Sequence, residues 1–307
     1  MSWIFIAILA YFLIALQTVL DKFLLSSKKV SHPTIYAFYT GILSLFTLVL
    51  LPWGFNYPGF FWALMYVFFG LIFVYGILGI FFAINKSEAS RVLPVVGVVI
   101  PIVTYFIEYF FLGNNLDGLK ILGIGLLIAG GIVISFELPL KINQKKFFQG
   151  LYPSLIAGVL LAIAFSAFSY FYAREKAFIN VFVWTRLGLV AGALSLLIFS
   201  PWRKVILSSL KNFKEDKKEK IKTGNLFVGN KILGGFGSIL VNYAISLGSV
   251  TVVNALVSIQ YVFIFLIGIA FARIFPHFFQ EKHDGKSIFQ KLAAISIVGL
   301  GLVLISI

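Results

Sequence analysis

Ten apolar runs alternate with short polar stretches along the chain, at residues 2–20, 33–51, 58–84, 89–112, 117–136, 149–173, 179–200, 224–247, 250–272 and 288–307. Each is close to the ~20 residues a helix needs to cross a hydrocarbon core. Only helices and closed barrels satisfy their own backbone in lipid. The pattern therefore predicts an all-α integral membrane protein with ten transmembrane helices. The longest hydrophilic pieces, 137–148, 201–223 and 273–287, are too short to form a soluble catalytic domain. The first run lacks a basic flank and a small-residue cleavage site and continues into Gln17 and Asp21, so it reads as a retained span, not a secretory signal.

The order of features repeats. Leu51-Pro52-Trp53 closes the second run and Ser200-Pro201-Trp202 the seventh. FAINKSEASRV (82–92) follows the third and YAISLGSVTVV (243–253) the eighth, while GIVIS (131–135) and GLVLIS (301–306) close the fifth and tenth. Two halves of five spans, 1–136 and 149–307, are thus joined by a linker at 137–148. An odd number of spans per half makes the second half enter the membrane from the opposite side. Carriers built from such inverted repeats hold solute near the midplane, between discontinuous helices.

The fourth run carries Pro94, Pro101 and Glu108 at a constant interval. A proline inside a helix removes a backbone donor, and Pro101 should lie ~18 Å into the membrane at ~1.5 Å per residue from Ala89. Pro94 and Pro101 are therefore expected to break the helix where it lines a cavity; the alternative is a packing kink. Arg91, Pro94, Val98, Pro101, Tyr105 and Glu108 follow helical spacing on one face.

An ionisable group in a span costs about 2.5–3.5 kcal/mol on insertion scales, which makes it a functional candidate. Asp21, Glu108, Arg186 and Lys231 qualify. Asp21 ends the first helix and reads as a snorkelling boundary residue. Glu108 and Arg186 lie at comparable depths, so they could pair across the halves as a gate or a fixed bridge; Glu108 is the candidate for proton coupling. Lys231 begins a stripe with Gly235, Ser238 and Asn242 that suits a carboxylate or phosphate, unless it snorkels toward the basic loop. Thr251, Asn254, Ser258, Gln260 and Tyr261 supply hydroxyls and amides on the ninth helix, either for solute or for joining helices. Tyr36, Tyr39, Tyr170 and Trp184 could stack on a solute, or belong to packing and interfacial belts. Glycines at 123, 125, 130, 131, 299 and 301 suggest close helix contact in spans five and ten.

Composition narrows the classes. The chain is 60% hydrophobic and 12% charged, against about 25% charged in ordinary globular domains. Its 25 basic residues exceed its 11 acidic ones, but the basic cluster between Arg203 and Lys222 suits a loop beside anionic lipid better than nucleic acid. With no cysteine, histidines only at span ends or loops, and no H-E-x-x-H, Walker or G-x-G-x-x-G element, no enzyme, metal site, cofactor or ATP drive is expected. Most Lys and Arg fall in the odd-numbered loops, which places both termini outside by the positive-inside rule.

The small-residue turn Ser87–Ser90, the proline-bearing fourth helix, Phe111-Leu112-Gly113, then Leu119-Lys120-Ile121-Leu122-Gly123 and a glycine-rich close resemble the drug/metabolite transporter superfamily, most of all its EamA-like family of ten-helix carriers. Two departures stand out: Asn114 where the family commonly has glutamate, and RIFPHFFQEKHDGKS (273–287) in place of the corresponding element of the second half. The resemblance implies a basket of ten helices around a central cavity and termini inside, against the charge pattern. It also implies secondary transport of amino acids or related polar or amphipathic solutes by alternating access, with export as the expected direction. The expected setting is the plasma (inner) membrane, the candidate coupling ion a proton, and the assembly a monomer or homodimer. The rival reading is a lipid or polyprenyl-phosphate flippase, with Lys231 and Arg186 holding the phosphate.

Overall fold

The structure is a computed structural model that describes residues 2–26, 32–87, 89–135, 144–211, 217–272 and 285–307. The described residues form helices α1 (Ser2–Ser26), α2 (Pro33–Leu43), α3 (Phe60–Lys86), α4 (Ala89–Phe111), α5 (Gly118–Ser135), α6 (Gln144–Glu175), α7 (Phe178–Ser195), α8 (Ser200–Lys211), α9 (Lys217–Leu247), α10 (Val250–Ala255), α11 (Val257–Ala272) and α12 (Gly285–Ser306). A 3-10 segment, Ser44–Trp53, continues α2 to the length of a span.

Among the described residues nine stretches, not ten, are long and apolar enough to cross a membrane. The one that falls short is the expected eighth run at 224–247, which is the C-terminal part of α9. Asn230, Lys231, Ser238 and Asn242 dilute its hydropathy. The helix still packs along the full apolar length of α1. The hydrophilic stretch 201–223 also differs from a plain loop. It contains α8, whose Ile206 is buried while Arg203, Lys204 and Ser208 are exposed. Trp202 anchors this helix against Phe199 at 4.7 Å and Phe82 at 6.2 Å. Residues 144–148 of the expected linker already belong to α6. Residues 273–284, with His277 and His283, lie outside the described residues, whereas Lys291 is helical and buried in α12.

Helices pair in a reciprocal way. α6 lies along α3 and α4, and α1 lies along α9 and α11. α5 runs beside α12, α4 beside α10, and α2 beside α7. Missing side chains permit the closest approaches. A Cβ on Gly70 in α3 would lie 2.7 Å from Gly188 Cα in α7, and one on Gly301 in α12 would lie 2.8 Å from the Gly123 carbonyl in α5. Of the sequence-selected glycines, 123, 130, 131 and 301 meet neighbours in this way, while 125 and 299 face open space. Small residues let backbones approach where lipid supplies no hydrophobic drive to helix association.

The expected helix break is not where the prolines are. α4 runs continuously through buried Pro94 and Pro101. Side chains also bond its backbone: Tyr261 Oη donates to the Leu93 carbonyl at 2.9 Å, and Thr104 Oγ1 donates to that of Pro101 at 3.1 Å. Gly97 leaves the room that the Tyr261 hydroxyl occupies. The discontinuity falls instead in the second half, at Leu256 between α10 and α11. There the Tyr11 hydroxyl donates to the Val253 carbonyl at 2.9 Å, which keeps a backbone acceptor satisfied away from water.

Candidate functional site

Glu108 is 1% exposed and reaches from α4 to the start of α10. Its Oε2 accepts from Ser249 Oγ at 2.9 Å and from the Thr251 backbone N–H at 3.1 Å. Ser249 is itself the helix cap, accepting from the Val252 N–H at 3.3 Å. The carboxylate thus sits among the unpaired N–H groups of a helix start, where negative charge is favoured. The end of α4 closes around the same residue: Asn114 N–H donates to the Glu108 carbonyl at 3.1 Å, and Gly113 adopts φ +69° to make the turn. Pro94, Pro101 and Thr104 share the buried side of α4 with Glu108, while Tyr105 is half-buried against Phe106 and Tyr109.

Arg186 does not join Glu108. It is 4% exposed on α7, and its Nε and Nη2 have no hydrogen-bond partner. The guanidinium instead lies over the rings of Phe182, at 4.4 Å, and Phe73, at 5.8 Å. A desolvated cation–π contact contributes about 2 kcal/mol, whereas burying an ion costs several kcal/mol. The rings do not offset the burial. Nearby, Tyr172 donates to Asn242 Oδ1 at 3.2 Å, and Asn242 in turn donates to the Ser238 carbonyl at 2.9 Å.

Lys231 has a partner that the sequence reading assigned to the membrane boundary. Its ammonium lies 3.4 Å from Asp21 Oδ1, 2.7 Å from the Tyr36 hydroxyl and 4.2 Å from the Tyr36 ring centroid. Tyr36 also donates to Asp21, as does Asn230 at 2.7 Å. Gln17 completes the cluster by donating to Asp21 Oδ2 at 3.3 Å. Asp21 is therefore the acceptor at the centre of a network joining α1, α2 and α9. Of the stripe below Lys231, Gly235 is exposed, Ser238 half-buried and Asn242 buried.

The other sequence candidates scatter. Asn254 is buried with its Nδ2 unpartnered, Ser258 is buried against Gly131, and Gln260 donates to Thr18 Oγ1 at 3.1 Å. Trp184 is occupied: it stacks on Phe55 at 5.4 Å and donates to the Asn56 carbonyl at 3.0 Å, fixing the segment between α2 and α3. Tyr39 meets Ser209 of α8 at 3.4 Å. Sequence reasoning missed Tyr11, Tyr172, Asn230 and Ser249. Their signal was weak, since tyrosine, asparagine and serine each occur many times and only tertiary packing selects these.

The class of protein follows from the long apolar helices and the charge buried among them: a multi-pass integral membrane protein, with polar contacts such as Glu108–Ser249 and Thr18–Gln260 between helices far apart in sequence. Residues 1–136 match the EamA-like transporter family, consistent with the drug/metabolite transporter superfamily and with the motifs quoted above. That family implies a membrane transporter of small solutes. No curated protein shows significant similarity to the chain. A solved structure, described only as the crystal structure of a protein, is 15% identical, with a TM-score of 0.63 over 98% of this chain and 93% of that chain. At that identity the likeness concerns the fold alone, and it extends over nearly the whole chain.

Proposed function

We propose that this protein is a ten-helix secondary carrier, built as two inverted five-helix repeats, that moves small polar or amphipathic metabolites such as amino acids by alternating access. α9 serves as the eighth span, and export across the plasma membrane is the expected direction. The reciprocal packing supports the repeat: α1 meets α9 and α11 as α6 meets α3 and α4. The observation that carries the reading is the Glu108 contact. A buried carboxylate of the first half holds the start of a discontinuous helix in the second through two hydrogen bonds. Such a contact can be released by protonation or by a competing group, and rocking of one half against the other requires contacts of that kind. Glu108 is the coupling or gating group in this scheme.

The test is counterflow in liposomes with pools of labelled amino acids, sugars, nucleosides and organic acids. Accumulation from at least one pool is expected, and Glu108→Gln should impair gradient-driven flux more than exchange. Silence across all pools by correctly folded protein would overturn the carrier reading, and scrambling of fluorescent lipid would then favour the flippase.

A further inference from the structure

We infer that Arg186 is the anchor for an anionic group, a carboxylate or a phosphate monoester, on the transported solute. This rests on the carrier reading above. Every buried or half-buried carboxylate among the described residues in reach of a comparable role is committed elsewhere: Glu108 to Ser249 and Thr251, Asp21 to Asn230, Tyr36 and Lys231. Glu175 Oε2 accepts from Asn180 at 3.1 Å. Among the described residues, Arg186 alone is a buried cation with two donors, Nε and Nη2, that no described group fills. Those two nitrogens lie on one edge of the guanidinium, the edge that receives two oxygens of a carboxylate or phosphate side by side. The surroundings are apolar. Phe182 and Phe73 flank the charge, and Phe73 continues into Phe165 at 5.3 Å and Phe168 at 5.9 Å. A solute with an acid group and an apolar body matches that setting; a sugar without charge does not.

The same geometry separates a binding role from a structural one. A structural arginine is destabilising to remove because its partners are orphaned. Arg186 has no hydrogen-bonded partner to orphan, so Arg186→Met should leave the ligand-free protein melting at or above the wild-type temperature. The experiment uses purified full-length protein and thermal melting with phenylacetate, phenyl phosphate and leucine, each against its uncharged or amidated counterpart: phenylacetamide, phenol and leucinamide. At least one acid should raise the midpoint while its counterpart does not. Apparent affinity for that acid should fall at least tenfold in Arg186→Met and less in Arg186→Lys, which keeps the charge and loses the fork. The proposal is overturned if no acid acts selectively, if Arg186→Met keeps the selectivity, or if that variant melts well below wild type. Carboxylate and phosphate are told apart by which pair responds. Counterflow separates this inference from the one beneath it. Accumulation of uncharged solutes untouched by Arg186→Met leaves a carrier and removes the anion anchor. Acid-selective melting with no accumulation of any pool keeps the anchor and removes the carrier.

Discussion

Lys231, half-buried on α9, and Arg186, buried on α7, are both cations within membrane helices, yet their surroundings differ completely. Lys231 is met by a carboxylate, a phenol and its ring, within a network that draws on α1, α2 and α9. Arg186 is met by phenylalanine rings, and two of its donors are unfilled. A buried charge with a full set of partners is part of the scaffold or a latch within it. A buried charge without them is an unmet demand, and a solute that supplies the missing oxygens satisfies it. The difference teaches that the cost of an intramembrane charge marks a residue as significant, while the partner set decides what the significance is.

Breaking the paired cation should have the largest effect. Asp21→Ala removes the Asp21 charge from a half-buried Lys231 and the acceptor shared by Tyr36 and Asn230, and should lower stability by up to about 3 kcal/mol, read as a drop in the thermal midpoint. Adding Lys231→Met to that variant should restore much of the loss, because the orphaned charge is then gone. If the double variant is no better than Asp21→Ala, the two residues are not coupled and the contrast with Arg186 loses its basis.

Glu108 comes next. Glu108→Ala removes two charge-assisted hydrogen bonds, each contributing about 1.5–3 kcal/mol, and should destabilise by a few kcal/mol. Glu108→Gln retains an acceptor for the Thr251 N–H and should recover about half of that. Equal melting of all three proteins would mean that the contact between α4 and α10 holds nothing in place.

The smallest effect is expected at the exposed start of α5, the counterpoint to both buried sites. Asp117 accepts from the Lys120 side chain at 2.9 Å and from its backbone N–H at 2.8 Å. The Lys120 side-chain hydrogen bond, followed by the backbone one, holds the Asp117 carboxyl below its usual range. A depressed carboxyl stabilises the fold above its unfolded pKa, and that contribution disappears as pH falls through the folded value. Asp117→Asn should therefore melt slightly lower than wild type near neutrality, with the gap closing below about pH 4. A gap that widens in acid would contradict the assignment.

Much of the fold was legible because hydrophobic length is a strong signal. The runs that became α3, α4 and α5 are near-continuous stretches that nothing but lipid explains, and their limits agree with the structure to within a few residues. The eighth run was harder for the reason that makes α9 interesting: its polar residues serve the interior and erode the hydropathy that defines a span. The proline signal misled in a different way. Pro94 and Pro101 predict lost donors, but α4 stays helical through both where it packs along α6 and beside α10, a setting the sequence does not display. Intramembrane charges stood out individually. Their partners did not, since Asp21 and Lys231 come together only through the packing of α1 on α9.

The most direct measurement exploits the absence of cysteine from the chain. A single Ser249→Cys substitution places a thiol beside the Glu108 carboxylate, at the contact the two halves must exchange if they rock. The protein would be reconstituted in liposomes and its labelling by a membrane-impermeant maleimide timed with and without the solute pool that supports counterflow. The carrier account predicts a several-fold change in labelling rate on adding that pool. A rate indifferent to solute, in protein that still accumulates it, would show that the contact is a fixed bridge and contradict the account.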